Sequence, residues 1–236
     1  MEFDSFGTIG DRRWMVLDES SHEFPSQRSH LELALLRVRH DSSGGIELRS
    51  PRFENVLFVK PTSEDLDPVK VGIWNAQATA CDASEEAASW LSDFVGIRAP
   101  LLGMNCQFRR PLNGNPKDES GIADGYPLLI ISQAALEDLN QSLEFPVGMK
   151  CLRSNICIED YQSCDEDKWK HIYIVNTKSR SAGHCPLCIM TTIDPELVVR
   201  TGKEPMATLS KYRRSDDGVL FGQNFINESE SGFIEI

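Results

Sequence analysis

The sequence predicts a β-rich α+β protein with a few packing helices. Three observations carry this. Short apolar runs recur along the chain, and polar or Gly-containing turns end them. Only three stretches keep the apolar spacing of a helix behind a residue suited to start one. With 40% hydrophobic and 25% charged residues over 236 positions, the chain has ordinary globular proportions and is long enough to bury a core.

In chain order, residues 14–17 read as a strand ended by the polar turn at 18–21. Residues 33–38 form an apolar stretch that runs into the turn signal Asp41, Ser42, Ser43, Gly44 and Gly45. Residues 46–48, 56–59 and 71–74 read as further strands, a spacing typical of a small barrel or sandwich. The first helix is predicted over 83–95, with Asp82 as N-cap, Glu85 three residues on, and Gly96 as the stop. Residues 111–121 are polar and rich in Asn, Gly and Pro, as in a mobile loop or an interdomain boundary. A buried strand follows over 126–131, and Ser132 caps a second helix carrying Leu136, Leu139 and Leu143. Residues 171–175 and 188–193 read as β-branched strands. Pro205 suits the first turn of a third helix with Met206, Leu209 and Tyr212 on its inner face. Residues 220–226 and 233–236 close the chain as strands.

A net charge of −12 argues against nucleic acid and against an anionic membrane surface, both of which need a clustered basic face. No apolar run is long enough for a membrane span, and the first residues carry neither a secretory signal nor a transit peptide, so the sequence reads as soluble and intracellular. Seven cysteines in a chain of this length point to free thiols in a reducing compartment. The sequon at Asn227 reads as chance.

Phosphate-loop, dinucleotide-fingerprint, zincin and nucleophile-elbow motifs are absent. What remains is the thiol cluster His184, Cys185, Pro186, Leu187 and Cys188. Its CxxC permits three readings: part of a zinc site, which lacks a second CxxC; a redox pair, which normally opens a helix; or two cysteines packed as small hydrophobes.

Several segments together resemble MOSC-domain proteins, and within them the family of mitochondrial amidoxime-reducing components. They are GDRRWMVLD (10–18), CDASEEAASWL (81–91), ADGYPLLIIS (123–132), LRSNI (152–156), DEDKW (165–169), CPLCIMTTIDP (185–195), KEPMATL (203–209) and LFGQN (220–224). The resemblance implies an N-terminal MOSC β-domain over residues 1–100 and a MOSC β-barrel core over 101–236. It also implies a molybdenum–pyranopterin cofactor with Cys188 as the protein ligand of the metal. A thiolate is a soft donor suited to that role. Arg12 matches the family arginine that reaches the cofactor phosphate, and Arg153 with Asn155 matches the family's Arg-Pro-Asn. Asp124, Gly125 and Tyr126 match the loop that lines the cofactor. Asp194 matches an aspartate near the metal that orients substrate or moves a proton. Each has a structural alternative: ion pairing for the two arginines, a turn cap for Asn155, and a turn residue before Pro195 for Asp194.

The implied activity is two-electron reduction of N-hydroxylated compounds such as amidoximes, with a cytochrome b5-type electron donor. The chain departs from the family pattern in three places. The Lys-Ser pair of an earlier strand has no match, so the N-terminal domain is expected to be truncated at its start. Pro186 and Leu187 stand between the cysteines where Ser-Arg is usual. Ser154 replaces the proline of Arg-Pro-Asn. These departures keep open a non-catalytic alternative, a cofactor carrier or interaction module.

Overall fold

The computed structural model describes residues 2–41, 44–63, 66–105, 107–112, 115–229 and 231–233. The chain divides into two compact units, residues 10–124 and residues 1–9 with 125–236. Both are strand-rich, as the sequence predicts.

In residues 10–124, a four-stranded antiparallel sheet runs in the order Trp14–Val16, Leu101–Gly103, Ala76–Asp82, Pro68–Ile73. A second sheet joins Arg37–His40, Ile46–Arg49 and Leu57–Val59. The helix Glu85–Val95 buries Ala87, Leu91 and Phe94 against Ile46, Leu48 and Leu57. Its N-cap is Ser84, whose Oγ accepts the Ala87 N–H at 3.1 Å, and not Asp82 as the spacing predicts. The reason is that Asp82 is still paired with Leu102 in the sheet, so the helix begins later. Gly96 ends it in the left-handed conformation, φ 78°, as expected.

The stretch 33–38 is not one strand. Leu31–Leu35 forms a 3₁₀ helix that packs Leu33 and Leu35 on the core, and the strand Arg37–His40 is exposed. Residues 111–121 are not simply a loop either. Pro111–Leu112 pairs antiparallel with Asn115–Glu119, so part of this polar stretch is a two-stranded ladder in which Leu112 is buried. Residues 42, 43, 113 and 114 lie outside the described residues.

The other unit is built on a mixed sheet in the order Ile156–Ile158, Leu128–Ser132, Gly218–Asn227, Thr177–Pro186, His171–Ile174. The first pair is parallel, and its crossover contains the helix Gln133–Gln141. Ser132 caps that helix as predicted, its Oγ accepting the Ala135 N–H at 3.2 Å. Both faces of Leu128–Ser132 are covered: Leu128 and Ile130 face a core with Phe3 and Phe225, while Leu129 and Ile131 face one with Leu139 and Phe221. The third predicted helix is the short Met206–Leu209, and Tyr212 lies beyond it, exposed. Glu2–Asp4 pairs with Ser231–Phe233, and residues 234–236 lie outside the described residues.

The strand Gly218–Asn227 changes face along its length. Phe221 and Phe225 are four residues apart, which on a regular strand places both on one side, yet they enter different cores. The inversion falls at Gly222, φ 77°. There the ladder slips: His184 opposes Gln223 while Pro186 opposes Leu220, so the Gly222 strand carries an extra residue, a β-bulge. A Cβ on Gly222 would come within 2.6 Å of Ile131 Cγ1 and 3.0 Å of the Ile130 carbonyl oxygen. Gly222→Ala therefore combines left-handed strain with overpacking and is expected to cost about 3 kcal/mol in a urea unfolding curve. A loss below about 1 kcal/mol would contradict this account of the bulge.

Candidate functional site

The strand Thr177–Pro186 delivers the thiol cluster. Cys185 and Leu187 pack, partly buried, against the core of Leu129, Leu139 and Phe221. Side chains of extended chain alternate, so Cys188, itself extended (φ −128°, ψ 179°), turns away from that core. Cys188 is half-buried. Among the described residues the cysteines form no disulfide. No three His, Cys, Asp or Glu side chains among them converge on a metal position, so the zinc reading has no ligand set there. Cys185 is a packing residue.

After Cys188 the sequence predicts a strand over 188–193, but the structure has the 3₁₀ turn Ile189–Thr192. The cause is local competition. The Thr191 hydroxyl donates to the Cys188 carbonyl at 3.0 Å, and the Thr192 hydroxyl donates to that of Ile189 at 2.8 Å. A small hairpin, Ile193–Asp194 with Val199–Arg200, follows directly. Asp194 shapes it: Oδ1 accepts the backbone N–H groups of Glu196 and Leu197 at 2.8 and 2.9 Å. These bonds, Leu197's first, hold the Asp194 carboxyl below the usual carboxylate range.

The short helix Met149–Leu152 packs against the 3₁₀ turn. Arg153 ends this helix in the left-handed conformation (φ 57°, ψ 33°), its N–H donating to the Met149 carbonyl at 3.2 Å and its side chain exposed. Lys150 reaches Glu196 on the hairpin at 2.9 Å. Burial pushes the Cys151 thiol up, and the charges of Asp194 and Glu196 add to this against a lowering hydrogen bond at Gly148. Cys188, Asp194 and Arg153 thus sit on or at the ends of short segments packed together. Asn155 is engaged differently. Its backbone N–H donates to the Leu129 carbonyl at 2.9 Å, and its Oδ1 accepts the Leu129 N–H at 2.8 Å, which opens the parallel pairing of the two strands.

On the strand side of the cluster, His184 Nδ1 lies 3.4 Å from Asp167 Oδ1, and Asp167 Oδ2 pairs with Arg213 Nη1 at 2.6 Å. Arg213 Nε donates to the Leu220 carbonyl at 3.0 Å, tying this chain of side chains to the bulged strand. Burial alone would lower the Arg213 guanidinium, but the hydrogen bond to Asp167 leads the effects that hold it up.

Arg12 and Asp124 belong to the unit of residues 10–124. Arg12 is left-handed, φ 52°, and its carbonyl accepts the Ile122 N–H at 2.9 Å. Its Nε lies 3.7 Å from Asp11 Oδ2. Asp124 is exposed and pairs with Arg28 at 2.8 Å. Gly125 and Tyr126 begin the other unit. Gly125 is exposed, a Cβ there would meet nothing within 4 Å, and Tyr126 is half-buried. Sequence reading misses Arg110. Its buried guanidinium donates to the carbonyls of Gly121, Ala123 and Asp124 and shapes the turn from within. Burial lowers this guanidinium's pKa, opposed by the charge of Asp124.

A β-rich α+β fold with its thiol presented at a strand end is the setting in which the comparisons with known proteins apply. Residues 117–236 match the MOSC domain, and residues 1–98 match the MOSC N-terminal beta barrel domain. The chain belongs to the MOSC family. It is similar to mitochondrial amidoxime-reducing component 1 of Danio rerio, with 28% identity over 219 residues, covering 89% of this chain and 66% of that protein. It is 31% identical to mitochondrial amidoxime reducing component 2 of Bos taurus over 224 residues, 89% of this chain and 64% of that protein. With component 1 of Homo sapiens it shares 28% identity over 238 residues, 94% of this chain and 70% of that protein. The chain thus spans about two thirds of the length of these relatives. No helix among the described residues is long and apolar enough to cross a membrane.

The different settings of the two cysteines are testable. Cys185→Ser places a hydroxyl against an apolar core and is expected to cost about 1–2 kcal/mol, while Cys188→Ser is expected to stay within about 0.5 kcal/mol of the parent in denaturant melts. Equal losses would contradict the alternation. The Asp194 carboxyl should titrate below the usual value of about 3.9 in a carboxyl-carbon NMR titration. With a lowered folded pKa, its stabilisation of the hairpin is complete above that usual value and fades as pH falls through the lowered one. An unshifted midpoint would mean that the two backbone bonds do not persist.

Proposed function

We propose that this chain binds a molybdenum–pyranopterin cofactor through Cys188 and reduces N-hydroxylated compounds of the amidoxime type. The observation that carries the proposal is the setting of the two half-buried cysteines in a MOSC domain: Cys185 packs against the core of Phe221, and Cys188, on the alternate side of the extended chain, stands at the strand end. The donor chemistry fits. A thiolate outside a disulfide is a suitable soft ligand. The exposed guanidinium of Arg153 offers planar donors to a phosphate or another anionic group. The names of the relatives supply the substrate class.

When bound, the cofactor supplies a two-electron redox centre. The overall change breaks the N–O bond of the amidoxime. Two electrons and two protons enter, the nitrogen keeps one proton, and the oxygen leaves as water. Cys188 fixes the metal to the chain. Asp194 is an ordinary carboxylate at neutral pH, and its backbone hydrogen bonds favour the ionised form further. It therefore orients substrate as a hydrogen-bond acceptor, and the protons come from solvent. Arg12, Asp124, Gly125, Tyr126 and Asn155 keep the cofactor-binding assignments that the resemblance gives them. A cytochrome b5-type protein is the proposed electron donor.

The test is elemental analysis for molybdenum on protein from a cofactor-competent host, with Cys188→Ala beside the parent, followed by an amidoxime-reduction assay. Near-stoichiometric molybdenum that disappears in the variant, together with turnover, is the expected result. Turnover retained in Cys188→Ser would overturn the proposal. Bound cofactor without reduction of any N-oxygenated substrate would replace it with a carrier role, and well-folded parent without molybdenum would replace it with an interaction module.

A further inference from the structure

We propose that the solvent face of the sheet Arg37–His40, Ile46–Arg49 and Leu57–Val59 docks on an anionic membrane surface, its cations meeting lipid headgroups and Phe58 entering the interface. The inference stands apart from the cofactor reading above and lies wholly within residues 10–124.

The two faces of this sheet differ. Ile46, Leu48, Leu57 and Val59 are buried in the core beneath the helix Glu85–Val95. Side chains alternate along a strand, so their neighbours point the other way. The register sets Arg37 opposite Arg49, Arg39 opposite Glu47, and Glu47 opposite Phe58. Arg37, Arg39, Arg49 and Phe58 are exposed, and so is Lys60, two positions beyond Phe58. Four cations thus stand against one carboxylate, in a chain whose net charge is −12. The fold gathers what the composition hides, the clustered basic face that an anionic surface needs.

The arrangement calls for an anionic partner. Arg37 and Arg49 sit directly across from one another, a like-charge pair that is unfavourable by itself and relieved by an anion over it. The face already holds one carboxylate. Glu47 pairs with Arg49, and that hydrogen bond leads the effects that keep the Glu47 carboxyl below its usual range; the charges of Arg49 and Arg39 add to it, and desolvation opposes it. Phe58 stands beside these charges, 69% exposed. A bilayer accepts such a ring wherever the face lands, whereas a folded acidic partner needs a pocket shaped to receive it. A single aromatic is too few to stack the successive bases of a single-stranded nucleic acid. Acidic groups elsewhere on the chain, beyond about 8 Å from the membrane, are screened at physiological salt.

The full chain would be sedimented with vesicles of phosphatidylcholine, and with vesicles in which about one third of the lipid is phosphatidylserine, at low and at high salt. The expected result is binding to the phosphatidylserine vesicles alone, lost at high salt. Arg39→Gln and Lys60→Gln are each expected to weaken binding about fivefold, the effect of one cation near such a surface. Phe58→Ala is expected to weaken it about tenfold. Glu47→Gln removes the carboxylate from the face and is expected to strengthen binding about fivefold, a gain that a damaged fold would not give. No binding to phosphatidylserine vesicles at low salt would overturn the proposal. Binding that all four variants leave unchanged would overturn it too, by placing the contact elsewhere on the chain. Binding of an oligoglutamate peptide or of oligouridylate in place of the vesicles would also overturn it, and would give the face to an acidic protein or to a nucleic acid.

Discussion

The inversion of the strand Gly218–Asn227 at Gly222 governs what its neighbour can present. A regular strand would carry all its odd-numbered side chains to one face. Here the bulge sends Phe221 into one core and Phe225 into the other. The slip in register falls opposite residues 184–186, where the neighbouring strand approaches the thiol cluster. Cys185 and Leu187 thereby pack, half-buried, against the core of Phe221, and alternation sends Cys188 the other way. A glycine is required because two things coincide at one position: a positive φ, and backbone and side-chain atoms closer than a Cβ allows.

The segments around Cys188 are short, and local bonds hold them alongside the burial of Leu152, Thr191, Thr192 and Ile193. The 3₁₀ turn is closed by threonine hydroxyls, the hairpin by the Asp194 carboxylate, and the short helix by the left-handed Arg153. The exposed pair Lys150–Glu196 adds little stability, since such pairs contribute between about 0 and 1 kcal/mol. Asp194 acts as a turn residue, the structural alternative already visible in its place before Pro195. Its lowered pKa is a by-product of that use, and it favours an acceptor role over proton donation.

Much of the fold is legible in the sequence where side-chain chemistry acts locally. The helix before Gly96 and the one capped by Ser132 announce themselves by spacing and caps. Legibility fails where tertiary pairing decides. The strand Thr177–Pro186 carries Lys178, Arg180 and His184 among small residues and has no alternating apolar pattern, yet neighbours on both sides hold it. Residues 189–192 are β-branched enough to read as strand, but their hydroxyls bond backward to carbonyls. At the candidate site, Cys188 and Asp194 are reachable through motifs. The contacts of Arg28 are not, because Asp124 lies 96 positions away and no local pattern encodes that distance.

The pairing of Glu2–Asp4 with Ser231–Phe233, reinforced by the Asn227 amide donating to the Asp4 carbonyl across 223 positions, has a temporal consequence. Residues 10–124 are contiguous and can complete their own contacts as soon as they leave the ribosome. Glu2–Asp4 pairs locally with Gly7–Thr8, but its other edge must wait for Ser231–Phe233, so the unit that carries Cys188 closes last. Loop-closure entropy makes such distant pairings slow to form. During synthesis that edge of the early strand remains open, and residues 10–124 can already be folded when Cys188 is first set in its final surroundings.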